Sequence, residues 1–339
     1  MTAPPAHRIR LTDPAELIAA VPHLLGFHPR DSLVVVALDG RRLGLTLRAD
    51  LPPPGEEVLL AEQVMLPLLR QRLTGVLLLV VGGPPGRDGD VPGRVVVDAV
   101  DDALAEKGVP VEHAAWTAGT QPGALWRCHD DPGCGGAVDD PATSALAAAT
   151  VAAGAVTFGS REELAALLAP DPPEVLARRA KLFAAADAEH PLQADPAARR
   201  ARDLAGLHAD AARGELTLDD ETVVAAASAL CDHRVRDSCL GWSVGEGAAA
   251  AEQLWLALVR AVPGVARAEP AAMLACTAYL RGDGALAGLA LEAALAASPE
   301  HALARLLHAA LEDGLPPGLL CSVARDAAAD AAVALGSTE

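Results

Sequence analysis

His28, Arg30, Asp31 and Ser32 crowd one short segment that leads into the apolar run 33–38. A serine beside a base and a cation could act as a nucleophile or a phosphate contact. No Gly-x-Ser-x-Gly elbow surrounds Ser32, however, and no base is assignable to it. The same residue types also turn a loop, His-Pro and Asp-Ser bonding the local backbone, and the pattern favours that reading. Arg48 and Asp50 stand two apart on an alternating segment, so both point to one face of a strand. They could hold a ligand's carboxylate or phosphate; a structural ion pair near a sheet edge is the simpler reading. Gly82-Gly83-Pro84-Pro85-Gly86 follows an apolar run, where α/β folds place ligand loops. A phosphate cradle needs exposed backbone N–H groups and a Gly-Lys-Ser/Thr. The prolines remove N–H groups and no Gly-Lys-Ser/Thr is present, so the segment reads as a stiff surface loop.

Cys128, His129 and Cys134 offer soft metal ligands on a turn-rich stretch beside Trp126. Zinc takes four ligands, commonly as two close pairs. The spacing here is wide and no second pair follows. Cys231, His233 and Cys239 repeat the pattern, with nothing in the sequence to bring the two sets together. The expectation is partly buried thiols, no metal and no cofactor. The candidate ligand-binding residues are therefore His28, Arg30, Asp31, Ser32, Arg48, Asp50, Trp126, Cys128 and Cys134, and no catalytic residue is assigned. Glu215, Asp219, Asp220 and Glu221 gather at a helix start, where acidic groups complement the helix dipole. His301 and His308 share a helical face, either solvated or lining a groove.

The elements that must position these residues come in two runs. Asp13-Pro14-Ala15-Glu16 opens a helix, with Asp as N-cap and Pro at the first helical position; Pro22 and the stretch 26–29 end it. Residues 33–38 read as a buried strand, Asp39-Gly40 as a hairpin turn and 43–49 as a second strand. A helix over 56–73, kinked at Pro67, is followed by a strand at 76–81 and a helix at 93–107. Strands at 109–116 and 124–128 complete a mixed α/β layer. From about residue 142 strand signals stop. Helical stretches follow, separated by breakers such as Gly214, Pro263-Gly264 and Gly282-Asp283-Gly284. Helices with short joins pack as antiparallel neighbours.

Several of these pieces have a family likeness. Leu25-Gly26-Phe27-His28-Pro29, then Asp31-Ser32-Leu33-Val34-Val35, then Arg48-Ala49-Asp50-Leu51-Pro52 recur with Trp126-Arg127-Cys128 and Ser160-Arg161-Glu162-Glu163-Leu164. Together they resemble the actinobacterial DUF4192 family over nearly the whole chain. That resemblance implies a bacterial intracellular setting and no assigned activity. It also implies a cysteine pair and proline just after the Trp-x-x-Cys stretch. Gly133-Cys134-Gly135-Gly136 carries one cysteine, a departure that counts against a fixed metal role. A second likeness covers 279–299, where Gly282-Asp283, Ala287, Ala294-Leu295 and Pro299 resemble one tetratricopeptide-type helix pair. The aromatic positions of that repeat are missing, so its ligand groove does not carry over.

Composition bounds the function classes. The 339 residues carry a net charge of −18 and only 2% aromatics. Nucleic-acid binding relies on clustered Lys/Arg and often on aromatic stacking, and an anionic membrane surface would repel such a chain. No run reaches the length of a membrane span, and the first ten residues do not read as a signal peptide. Ala, Gly, Pro and Arg in excess over Lys suggest a high-GC bacterial genome. Six scattered cysteines suit reduced thiols in the cytoplasm. The expected architecture is an α/β domain over 1–140 followed by an all-α, Ala-rich helical domain over 141–339. The expected role is that of a non-enzymatic interaction or regulatory protein with a protein partner. The alternative is an enzyme acting on a small ligand, phosphorylated ones included, at the α/β domain.

Overall fold

The computed structural model describes residues 14–40, 42–83, 90–131, 133–152, 156–188 and 197–336. Asp13, the expected cap of the first helix, and Pro84-Pro85-Gly86 of the stiff loop lie outside them.

Strand β1 (Ser32–Asp39) is the apolar run foreseen from sequence, with Leu33 to Val36 at most 1% exposed. Each such side chain contributes about 1.5–3 kcal/mol by leaving water. That burial on both faces makes β1 a central strand. It pairs antiparallel with β2 (Arg42–Asp50) on one side and with β3 (Gly75–Val81) on the other. β3 runs parallel to β4 (Val111–Thr117), and β5 (Leu125–Cys128) and β6 (Gly135–Ala137) extend the sheet antiparallel. The order is β2-β1-β3-β4-β5-β6. The strand β6 lies in the stretch that reads as turns from sequence. Its Gly-Gly-Ala carries no β signal, and only pairing with β5 makes it a strand.

One face of the sheet carries α2 (Glu57–Leu69) and α3 (Arg94–Ala105), which pack on Leu33, Val35, Leu78, Val80 and Ala114. Gly93, at φ 79°, lets α3 start close against β3; a Cβ there would lie 2.7 Å from Val80 Cγ1. The other face meets α1 (Pro14–Leu25), which touches β2 and α4 (Ala145–Ala152). Pro22 sits inside α1 and does not end it; the left-handed Gly26 does, at φ 78°. Residues 156–158 return to this end of the sheet, Phe27 and Phe158 forming a bridge with His28 N–H donating to Phe158 O (3.0 Å).

Contacts divide the chain into two compact units, Met1–Leu164 and Ala165–Glu339. Helix α5 (Arg161–Ala166) spans the division. The second unit is helical: α6 (Pro173–Ala188), α7 (Ala197–Arg213), α8 (Asp220–Leu230), α9 (His233–Cys239), α10 (Ala248–Ala261), α11 (Ala268–Arg281), α12 (Gly284–Ala297), α13 (Ala302–Glu312) and α14 (Pro317–Ala334). Nearly every residue of α11 is buried, as a helix apolar all round must be. It packs against α8, α10, α12, α13 and α14. Its polar groups are satisfied internally. Ser243 and Thr277 hydroxyls meet at 2.8 Å, and the Tyr279 hydroxyl lies 2.8 Å from the carbonyls of both Ala310 and Leu315. Among the described residues, no helix is long and apolar enough to cross a membrane.

Candidate functional site

Strand register places the first group of candidates at one end of the sheet. Ser32 pairs with Asp50 and with Val81, so the start of β1 meets the ends of β2 and β3. Ser32 is fully buried. Its hydroxyl donates to Arg30 O (2.5 Å) and accepts from Arg48 Nε (2.8 Å). Arg48 also reaches Asp50 Oδ1 at 2.5 Å, the same-face ion pair expected from their spacing. Asp31 is the one non-glycine with positive φ (42°) among the described residues. Its carboxylate accepts from Gly83 N–H (2.9 Å) and its carbonyl from Leu51 N–H (2.9 Å). Gly82 must be glycine there, because a Cβ would stand 2.7 Å from Asp31 Oδ1. His28 Nδ1 meets Thr120 Oγ1 at 2.7 Å, and burial first, then the neighbouring His23 and Arg30, lower its pKa. Every polar group singled out here, apart from the Arg30 side chain, is engaged by another. Among the described residues no base meets Ser32, which is fully buried, so the turn-and-brace reading accounts for the cluster.

The second group lies on the same sheet face but on other strands. Trp126 pairs with Thr117 and Cys128 with Ala115, while Trp126 also pairs with Gly136. Continuing the ladder sets Cys134 opposite Cys128, whose N–H donates to Cys134 O (3.0 Å). The two cysteines are joined as a disulfide with Cα atoms 5.4 Å apart. This corrects the expectation of free thiols at these two positions. Antiparallel pairing brings them together across a tight hairpin, which spacing alone does not reveal. A third ligand joins them. His113, two residues before Ala115 on β4, points to the same face, and its Nε2 lies 3.5 Å from Cys128 Sγ. The His113 nitrogen and the two sulfurs all fall within 4.8 Å of one another. Burial is the leading cause that lowers the His113 pKa.

His129, the histidine singled out from sequence, turns to the opposite face. It is 4% exposed, with both ring nitrogens unpartnered among the described residues. Burial, then the Arg94 cation, hold its pKa down at about 4. Arg94 itself donates to the His129 carbonyl. His113 was legible only in hindsight. Period-2 alternation puts residues 113, 115 and 117 on one face, but the register against β5 is a tertiary fact.

The two groups do not converge. The β1 and β5 strands are three spacings apart, roughly 14 Å. In the helical unit, the acidic cluster lies at the start of α8, where Asp219 caps the helix by accepting from Thr222 N–H (2.8 Å). Asp220 binds Arg178 and Arg179. Cys239 is buried, its thiol pushed up to about 12 by burial, and Cys231 is exposed. A groove of about 780 Å³ opens between the helices, lined among others by Phe183, Arg200, Arg234, Val265, Glu269 and His301. Arg234 is paired to Asp232 (2.7 Å) and His301 faces Glu269 at 3.2 Å. His301 also caps α13, its Nδ1 accepting from Ala304 N–H (3.1 Å). His308 lies 3.2 Å from Glu312 and takes no part.

Against known proteins, one family model, DUF4192 (domain of unknown function), matches residues 14–318. No curated protein and no solved structure matches.

Proposed function

The chain belongs to the DUF4192 family, a domain of unknown function, and from that premise we propose a role drawn from its own geometry: a non-enzymatic interaction protein. The observation that carries it is the 780 Å³ groove of the helical unit. Its walls combine an apolar surface (Phe183, Val265, Ala266) with two arginines, Arg200 and Arg234, set against Asp232 and Glu269. Asp232 answers Arg234 and Glu269 answers Arg236, whereas Arg200 has no ion pair among the described residues. On a chain of net charge −18, that guanidinium beside an apolar surface favours a partner segment bearing a carboxylate next to an apolar side chain. The enzyme reading has less support, since the sheet-end candidates brace one another and stand apart from the cysteines. The hairpin of α11 and α12, turning at the left-handed Gly282, supports likening this part to one tetratricopeptide-type unit. An actinobacterial, cytoplasmic setting and the absence of nucleic-acid binding belong to the same proposal, supported by composition and charge.

Native mass spectrometry of the chain purified gently from its own host tests it. A protein bound in fixed stoichiometry, and lost from Arg200→Glu, is the expected result. A bare chain, or a small molecule held at the sheet end and released by Arg48→Ala, overturns the reading.

A further inference from the structure

We infer that the reduced chain binds a divalent cation of the zinc class through Cys128 Sγ, Cys134 Sγ and His113 Nε2. This stands independently of the groove. Three observations carry it.

First, the donor set is chemically coherent. Two thiolates and a neutral imidazole are soft-to-borderline ligands that suit Zn²⁺ and leave hard cations such as Mg²⁺ unserved. The two thiolate charges balance the two of the cation. Second, the geometry fits. Zn–S near 2.3 Å and Zn–N near 2.0–2.1 Å make the ligand-to-ligand edges of a tetrahedron about 3.3–3.8 Å. The His113–Cys128 separation of 3.5 Å already matches such an edge, all three ligand atoms lie within 4.8 Å, and breaking the S–S bond is what lets the two sulfurs part to theirs. Third, a disulfide alone leaves His113 unexplained. Linking two cysteines across a hairpin needs no third residue. Yet a half-buried imidazole from another strand directs its Nε2 at the sulfur. Two of the ligands sit on paired strands and the third at the start of a third strand, so the backbone ladder holds their Cα positions. The fourth position falls to solvent or to an external ligand.

The cysteines are bonded to each other in the structure, so the site is redox-gated. A thiol or phosphine reductant supplies two electrons, the S–S bond breaks, and two protons complete the thiols. Zn²⁺ then displaces both protons as it forms two metal–sulfur bonds. A disulfide oxidant such as oxidised glutathione takes back the two electrons by thiol–disulfide exchange, leaving as two thiols, so that the S–S bond re-forms and the metal is released.

The test uses the full chain and Co²⁺ as an optical stand-in for Zn²⁺. After reduction by a phosphine under anaerobic conditions, one equivalent of Co²⁺ should bind. It should develop thiolate-to-cobalt charge-transfer absorption that added Zn²⁺ abolishes. The oxidised chain, folded and with its sulfurs occupied, should develop none. Cys134→Ser should lose at least tenfold in affinity together with most of the charge-transfer band. His113→Asn should weaken binding by at least tenfold while keeping thiolate absorption. Circular dichroism of each variant keeps loss of metal distinct from loss of fold. The inference is overturned if the reduced chain takes up no Co²⁺, if the oxidised chain binds it equally, or if folded Cys134→Ser binds as the wild type does.

Discussion

Asp31 shows how much structure one side chain can organise. Its backbone sits at φ 42°, a region costly for residues other than glycine, asparagine and aspartate. What holds it there is the Gly83 N–H on its carboxylate and the Leu51 N–H on its carbonyl. Asp31→Ala should therefore destabilise the first unit by about 1–3 kcal/mol, through strain and a lost acceptor. Asp31→Asn, which keeps an acceptor and tolerates the same backbone, should cost under about 1 kcal/mol. Urea unfolding of the pair decides it; equal losses in both would point to a need for charge and revive a ligand role. Tyr279 offers a cleaner residue-scale measurement, because it is the only tyrosine in the chain. Burial, then Asp313, push its hydroxyl up to about 12. In the unfolded chain the group ionises near 10. The folded state thus holds the proton over a range where the unfolded state has lost it. Stability is full below pH 10 and falls between 10 and 12 by on the order of 2 kcal/mol. Phenolate absorbance should rise near 12 in the folded protein and near 10 in denaturant.

Among the elements, the helical unit relies on one buried cation as a clasp. Arg179 on α6 reaches Asp171 (2.7 Å) before that helix, Asp220 (2.9 Å) at the start of α8, and the Ala261 carbonyl (3.0 Å) at the end of α10. Three segments meet on one guanidinium that is 7% exposed. Removing it strands its acceptors, so Arg179→Ala should cost about 3 kcal/mol in the unfolding of the second unit. Arg179→Lys should recover only part of this, since an ammonium lacks the planar fork that serves acceptors in different directions. Denaturant midpoints of the two variants check both statements. At the same scale, the sheet's ends have opposite characters. At the β1–β2 end, polar groups satisfy one another and brace the loops. At the β4–β5–β6 end, the sulfurs and an imidazole gather with chemistry to spare.

Across the whole molecule, net charge and patterning act before any contact does. A charge of −18 with 2% aromatics limits the partners the chain attracts. It leaves the Arg200 guanidinium in the groove, with no ion pair among the described residues, as a local exception.

The α/β run followed by helices was legible in the sequence because it rests on local periodicity. The β-branched run of β1, the alternation of β2 and the Gly/Pro breakers between helices are properties of neighbours along the chain. The pairing of Arg48 with Asp50 was legible for the same reason, as was the gathering of acidic residues at the start of α8. What tertiary structure alone decided is which strands lie side by side. Register made a strand of Gly135–Ala137, set Cys134 against Cys128, and chose His113 on β4 over the adjacent His129 as their companion. It also kept Ser32 and the cysteines apart on one face. Sequence spacing measures distance along a strand, whereas a site across a sheet is built from distances between strands. Those follow from hydrogen-bond register and burial acting on the folded chain as a whole.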